Sequence, residues 1–270
     1  LPMELIRVFI KLAGFIIATL FFYSLIMLCL IFSFLGVNYE KLRGYLLRTW
    51  GKTCCRIFGM ELKIKNPAPE PPFLLVSNHL SYIDVFVLFS QLRCLFVAKS
   101  DVKSWPLFGF IIRTSGILFI DRERKRDVTR VNKLISKNIN NNQGIILFPE
   151  GTTSPGFDIL PFRSSLLEYP ASQNMPVSYA AISYETGEGA VPAYQSICWW
   201  DETPFSTHFL NFLKLKKCTA TINFGTQTIL DSDRKSLAMK LNKALESEFD
   251  EVISEERFLS KHSEFVSVLS

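Results

Sequence analysis

Hydrophobic and polar positions divide the chain into three regimes. Residues 12–37 carry no charged side chain. A helix over that run would be about 39 Å long, enough to cross a bilayer core of about 30 Å. The run is too long for a cleaved signal peptide, and no small-x-small site follows it, so it predicts a membrane helix. A buried helix of a soluble domain rarely sustains such uniform hydrophobicity. The period then changes. Between residues 40 and 58, Leu42, Leu46, Trp50, Cys54 and Ile57 recur at helical spacing, with Lys41, Arg48, Lys52 and Arg56 on other faces. That pattern predicts a basic amphipathic helix lying on an anionic surface. A helix packed on the domain would show the same spacing.

Residues 66–72 read Asn-Pro-Ala-Pro-Glu-Pro-Pro. Prolines oppose both helix and sheet, so this stretch predicts a linker between an anchor, 1–65, and a domain, 66–270. Beyond it, short apolar runs at 73–77, 95–98, 116–120, 144–148, 177–183 and 218–224 predict strands. They alternate with helical patterns at 82–89, 127–140 and 232–249. The expected fold is a single α/β domain with a largely buried sheet flanked by helices. The asparagines of 138–142 mark a helix stop and turn.

Charge orients this arrangement. Thirty Lys and Arg against 25 Asp and Glu give a net charge of +5, which suits anionic lipid headgroups as neighbours. Arg7 and Lys11 precede the apolar run, whereas Lys41, Arg43, Lys52 and others follow it. The positive-inside rule therefore places the domain on the cytosolic side of the cytoplasmic membrane. Gly14, Gly36 and the margin of length also permit a helix that enters one leaflet without crossing. Nucleic acid is not an expected partner, because no basic helix with interleaved aromatics and no zinc-finger spacing is present. Cys29, Cys54, Cys55, Cys94, Cys198 and Cys218 form no CxxC pair, so they read as reduced core residues rather than metal ligands. His208 and His262 lack helix-spaced partners, so no metal is implied. There is no GxSxG elbow, no P-loop and no GxGxxG.

Three segments can carry chemistry. In Ser77-Asn78-His79-Leu80-Ser81-Tyr82-Ile83-Asp84 a strand ends, a polar turn follows and a helix begins. His79 and Asp84 lie five residues apart across that helix start, so a turn can bring the carboxylate to one imidazole nitrogen. An imidazole held that way is a general base suited to neutral pH. A lone histidine at a helix cap, with Asp84 as a surface charge, would give the same letters. In Phe148-Pro149-Glu150-Gly151-Thr152-Thr153-Ser154, again after a strand, Gly151 permits close backbone approach, and the hydroxyls and amides beyond it can bind anionic oxygens. The third segment, 116–122, ends a strand on Asp121 and Arg122. Arg122 is either a phosphate fork or the partner of a surface carboxylate.

Together these segments carry a resemblance. Asn78-His79 with Asp84 resembles the NHxxxxD motif of the glycerolipid acyltransferases, the family of the bacterial 1-acylglycerol-3-phosphate acyltransferases. Residues 116–122 resemble that family's second block, 148–154 its FPEGTRS block, and Met175-Pro176-Val177 its fourth. Lys99, Pro106, Gly109 and the segment 160–165 also stand where the family has them. Four ordered blocks, within about residues 40 to 230, are a far more specific signal than any one alone.

The resemblance implies direct transfer of an acyl group from acyl-CoA or acyl carrier protein to the free hydroxyl of a lysophospholipid, without a cofactor. His79 would act as base with Asp84 orienting it. Arg122, Glu150, Gly151, Thr152, Thr153 and Arg163 would bind substrate, with backbone N–H groups near Gly151 facing the oxyanion. The implied acceptor is 1-acyl-sn-glycerol-3-phosphate. One departure bears on this: the family's third block usually has arginine where this chain has Thr153. The threonine form is similar to relatives acting on lysophosphatidylcholine or lyso-ornithine lipid. A CoA-independent transacylase and a catalytically dead binding protein on the same fold are the rival readings.

Overall fold

Leu74, Leu75 and Val76, like Ile145, Ile146 and Leu147, are apolar without alternation and fully buried. Parallel strands covered on both faces read this way. The computed structural model describes residues 3–36, 38–99, 118–120 and 125–262. Within it, strands β1 (Met60–Lys65), β2 (Leu74–Ser77), β3 (Cys94–Lys99), β4 (Leu118–Ile120), β5 (Gly144–Leu147), β6 (Val177–Thr186) and β7 (Cys218–Phe224) form one 7-stranded sheet in the order β1-β7-β6-β2-β5-β3-β4. Neighbours run parallel except β6 and β7, which are antiparallel.

The helices are α1 (Met3–Phe32), α2 (Tyr39–Phe58), α3 (Ile83–Gln91), α4 (Lys125–Asn138), α5 (Glu168–Ser172), α6 (Ala193–Ser196), α7 (Phe205–Lys214), α8 (Arg234–Glu248) and α9 (Glu255–Lys261). One face of the sheet (Leu75, Ile146, Ile182) packs against Phe15 of α1, Phe58 of α2, Phe89 of α3 and Phe212 of α7. The other face (Leu74, Val76, Leu147) packs against Ile135 of α4 and Leu237 and Leu241 of α8. Strand side chains alternate between faces, so β2, β3, β5 and β6 feed both cores.

The expected α/β domain is therefore present, with corrections in how its parts join. Strand β1 precedes the proline-rich stretch and pairs with β7 from Met60↔Cys218 to Lys65↔Asn223. Residues 66–72 are thus a crossing within the sheet, and the boundary expected at 65 does not separate the anchor from it. Helices α5, α6, α7 and α9 were not anticipated. The strand expected at 116–120 is seen as Leu118–Ile120; residues 116 and 117 lie outside the described residues.

Helix α2 is also oriented differently from expectation. Asn38 caps it, accepting from the Lys41 amide at 3.0 Å, and Gly59 at φ 72° ends it. Its buried face is Arg43, Gly44, Leu47, Gly51, Cys54, Cys55 and Phe58, while Leu42 is exposed. The glycine decides this rotation. A Cβ on Gly51 would lie 2.7 Å from the Ser90 amide nitrogen and 2.9 Å from the Phe86 carbonyl oxygen, so α2 and α3 meet backbone to backbone there. Helix α2 is thus packed on the domain.

Helix α1 is apolar and long enough to cross a membrane, which is consistent with membrane association. It also runs back along α2. Phe15 meets Phe58 with ring centroids 5.6 Å apart, and further along Trp50 Nε1 donates to Thr19 Oγ1 at 3.1 Å. The two helices form an antiparallel hairpin. Its open end is locked to the domain: Lys11 Nζ donates to the carbonyls of Phe58 at 2.5 Å and Leu215 at 2.6 Å, and Arg7 donates to the Lys214 carbonyl at 2.6 Å. These carbonyls close the ends of α2 and α7, where a cation is favoured.

Candidate active site

Strands β2 and β5 are parallel neighbours, with Val76 opposite Leu147, so the loops leaving them emerge side by side at the carboxyl edge of the sheet. That edge is where open α/β sheets place their sites. The β2 loop turns directly into α3. Asn78 continues the ladder after β2 ends: its side chain donates to the Ile182 carbonyl at 2.9 Å and accepts from the Ile182 amide at 2.7 Å. The next residue, His79, is thereby aimed across the start of α3.

His79 Nδ1 lies 2.7 Å from Asp84 Oδ2. An ionised carboxylate only accepts, so Nδ1 carries the proton and Nε2 keeps its lone pair. The same Oδ2 accepts from the amides of Leu80 at 2.8 Å and Ser81 at 3.0 Å, and Oδ1 accepts from the Tyr184 hydroxyl at 2.6 Å. Asp84 is 0% exposed, and each of these donors compensates the burial of its charge. The imidazole stacks on Phe148, centroids 4.0 Å apart and 13° between planes. The ring is wedged between a carboxylate at its edge and an aromatic face, with its side chain still 22% exposed.

The loop after β5 wraps this turn. Glu150 Oε1 accepts from the His79 amide at 3.2 Å, and the Ser154 amide donates to the His79 carbonyl at 3.0 Å. Glu150 is 4% exposed and its Oε2 has no hydrogen-bond partner. Burial pushes its carboxyl well above the usual range, and the nearby Asp84 charge adds to this, against the opposing amides of His79 and Leu160. Gly151 takes φ 79°, a conformation that favours glycine, and its amide donates to the Phe148 carbonyl at 3.2 Å.

Thr152 is exposed. Thr153 is half-buried and donates its hydroxyl to the Trp199 carbonyl. Arg163 is exposed, and its amide donates to the Pro149 carbonyl at 2.8 Å, so its side chain starts beside the same loop. His79, Asp84, Glu150, Gly151, Thr153 and Arg163 are thus connected through one set of loops. Arg122, Pro106, Gly109 and Gly116 lie outside the described residues.

Some partners had no signal in sequence. Tyr184 sits in β6, a hundred residues from the carboxylate it contacts. The segment between β6 and β7 folds back on the site: the Trp199 amide donates to the Leu80 carbonyl at 2.8 Å, so Trp199 is pinned to both motif loops. Behind it His208 Nε2 lies 3.0 Å from the Cys198 carbonyl and Nδ1 2.9 Å from the Tyr82 hydroxyl. The carbonyl can only accept, so Nε2 carries the proton and Nδ1 accepts from Tyr82. Burial lowers the pKa of His208, and it serves as a neutral structural bridge. Among the described residues no group of His, Cys, Asp or Glu could hold a metal.

This arrangement can deprotonate a hydroxyl at Nε2 of His79. The chain matches the family model Acyltransferase over residues 60–182. It is 31% identical over 227 residues to a lyso-ornithine lipid O-acyltransferase of Rhizobium meliloti, covering 80% of this chain and 77% of that one. The chain belongs to the acyltransferase family. It is also 28% identical over 216 residues to a 1-acyl-sn-glycerol-3-phosphate acyltransferase of Neisseria gonorrhoeae, 76% of this chain and 81% of that one. The fold is that of the crystal structure of the PlsC acyltransferase from Thermotoga maritima, with a TM-score of 0.61 at 20% identity, covering 91% of this chain and 97% of that one. The protein is an O-acyltransferase of α/β architecture.

Proposed function

We propose that this acyltransferase moves a fatty acyl group from acyl-CoA or acyl carrier protein to the free hydroxyl of a lysophospholipid, with 1-acyl-sn-glycerol-3-phosphate as acceptor and phosphatidic acid as product. The observation that carries the reading is the His79–Asp84 pair at 2.7 Å, buried on its carboxylate side and open on its imidazole side. His79 Nε2 takes the proton of the acceptor hydroxyl as its oxygen attacks the thioester carbonyl. The tetrahedral intermediate collapses, the C–S bond breaks, and the imidazolium returns its proton to the departing thiolate. Base catalysis of this kind contributes about 10²–10⁴-fold.

Arg163, Thr152 and Arg122 are assigned to the acceptor side, where guanidinium groups suit a phosphate. Glu150 and Gly151 shape the loop that backs His79. The reaction needs no cofactor beyond the thioester co-substrate.

A second acceptor, a lyso-ornithine lipid, is favoured by Thr153 standing where a phosphate-gripping arginine is common, and by the Rhizobium relative. A panel of lysolipids offered with labelled acyl-CoA to the purified full-length protein, read by product mass, separates the two. A His79→Ala protein that kept near wild-type turnover would end the base assignment.

The exposed apolar face of α1, including Phe9, Ile17, Phe21 and Ile31, together with Phe34 just beyond it, is assigned to the membrane, with the domain in the cytosol. The open end of the α1–α2 hairpin, which holds the start of α1 and the end of α2, is locked to the domain, which supports entry from one side rather than a simple crossing. Protease accessibility of tags at the N-terminus and on the domain in sealed inverted vesicles tests this. Tags cleaved from opposite sides would exclude it.

A further inference from the structure

Strand β6 outruns its parallel neighbour. Pairing with β2 ends at Ser77↔Ala180, yet β6 continues to Thr186, held by β7 through Ile182↔Ile222, Tyr184↔Ala220 and Thr186↔Cys218. The overhang forms a rigid wall behind the β2 loop. Two of its residues on one side of the strand meet that loop. Ile182 pairs its backbone with the Asn78 side chain, and two residues on, Tyr184 donates its hydroxyl to Asp84 Oδ1 at 2.6 Å. Tyr184 is 1% exposed and Asp84 0%, so no water competes for the contact.

The two carboxylate oxygens have different duties. Oδ2 faces His79 and the Leu80 and Ser81 amides, all within the turn itself. Oδ1 is held from outside the turn, by Tyr184. A carboxylate held by one oxygen alone can swing about its Cβ–Cγ bond, whereas a donor on the second oxygen fixes the plane. That donor also draws negative charge away from the oxygen facing the imidazole.

We infer that Tyr184 is a positioning residue of the acyl transfer, fixing the plane of Asp84 and moderating the charge that His79 feels. The inference rests on the reading of His79 as general base. Tyr184 stays protonated and hence a donor, because burial raises its ionisation well above the usual range and the Asp84 charge raises it further. The other titratable groups facing this array are Cys198 and Cys55, which adjoin Tyr184, and Glu150, with Asp158 behind it. Burial holds both thiols neutral, that of Cys55 pushed up to about 12. Neither thiol can substitute a charge for the phenol.

Tyr184→Phe removes the hydroxyl and keeps the ring. Measured on the full-length protein in micelles with labelled acyl-CoA and the lysolipid it accepts, this variant should show a kcat about three- to thirtyfold lower, with KM for both substrates within about twofold. With one donor gone the carboxylate favours imidazolium more strongly, so the acid-side half-activity point should rise by about half a unit to one unit. 3-Fluorotyrosine placed at 184 alone, a stronger donor that preserves the packing, should move that point the opposite way, and it serves if the phenylalanine protein fails to fold. Opposite displacements support the inference. Half-activity points coincident with wild type, whether or not the thermal midpoint drops, would overturn it and leave Tyr184 a packing residue. His79→Ala separates the layers: turnover retained there removes the base reading itself, whereas an inactive His79→Ala beside an unmoved Tyr184→Phe profile removes only this inference.

Discussion

Thr153 donates its hydroxyl to the backbone carbonyl of Trp199, whose own amide donates to the Leu80 carbonyl at 2.8 Å. Trp199 thereby clips the loop after β5 to the loop that carries His79. This changes the meaning of the threonine found where arginine is common. Its proton is committed within the protein, so an effect of this side chain on substrate choice would run through the placement of the Trp199 loop. Thr153→Val, nearly isosteric, should lower stability by about 1–2 kcal/mol, the cost of a lost hydrogen bond with its carbonyl left behind. KM for the lysolipid should rise more than KM for the thioester. Thermal midpoints together with steady-state kinetics on both substrates check this. Equal changes in both KM values would show that the clip does not shape the acceptor side.

Asp84→Asn keeps the size of the side chain but gives the imidazole a neighbour that can also donate. If the amide nitrogen faces Nδ1, the histidine proton is driven to Nε2, the atom that must accept the substrate proton. Turnover should drop by about 10³–10⁴-fold, as in other histidine dyads deprived of their carboxylate. A circular-dichroism spectrum and elution volume equal to wild type would exclude unfolding as the cause. Activity within tenfold of wild type would rule out the orienting role.

Glu150 links pH to stability. Its carboxyl is raised by burial from the ordinary value of 4.5. The folded chain therefore holds this proton over a window in which the unfolded chain has released it. Stability from this group is full below the unfolded value and is lost as pH rises through that window towards the raised folded value. Glu150→Gln, which cannot ionise, should remove the loss. The difference in unfolding free energy between variant and wild type should shift in the variant's favour as pH increases from 4 to neutrality. Denaturant titrations in micelles at several pH values measure it, and a pH-independent difference would count against a protonated Glu150.

Gly51 permits the backbone contact of α2 with α3. A Cβ there would lie 2.7 Å from the Ser90 nitrogen, and backbone cannot yield as a flexible side chain does. Gly51→Val should cost about 2–3 kcal/mol through overpacking. Because α3 carries Asp84 in its first turn, kcat should fall as well. A variant with wild-type melting and kcat would mean the helices separate without cost.

Removal of residues 1–38 should not release an intact soluble enzyme. It uncovers Phe58, Phe86 and Phe209, each within 5.7 Å of the Phe15 ring centroid, and frees the carbonyls held by Lys11. The shortened chain should aggregate or lose at least half its activity in detergent, while a high-salt wash should leave the full-length protein on membranes. Sedimentation and activity of the two forms decide it.

The elements legible in sequence were those defined by neighbours along the chain. The buried runs of β2, β5, β6 and β7, the helices α3, α4 and α8, and the His79–Asp84 pair all follow from spacings of a few residues, which periodicity and turn chemistry report. Strand β1 was missed although its pattern is present: Met60, Leu62 and Ile64 alternate with Glu61, Lys63 and Lys65 as in a half-buried strand. Four of its six positions are exposed, and pairing with β7, some 158 residues later, is what seats it in the sheet. The buried face of α2 was misread because periodicity weighs side chains, whereas Gly51 selects the face through the side chain it lacks. Tyr184, Trp199 and the clamp of Lys11 on the Phe58 and Leu215 carbonyls are contacts between segments about 45 to 200 residues apart. The local sequence determined that a carboxylate and an imidazole would meet at the end of a strand. The tertiary structure decided which buried donors hold that carboxylate, because a buried charge takes whatever partners the packed sheet brings to it.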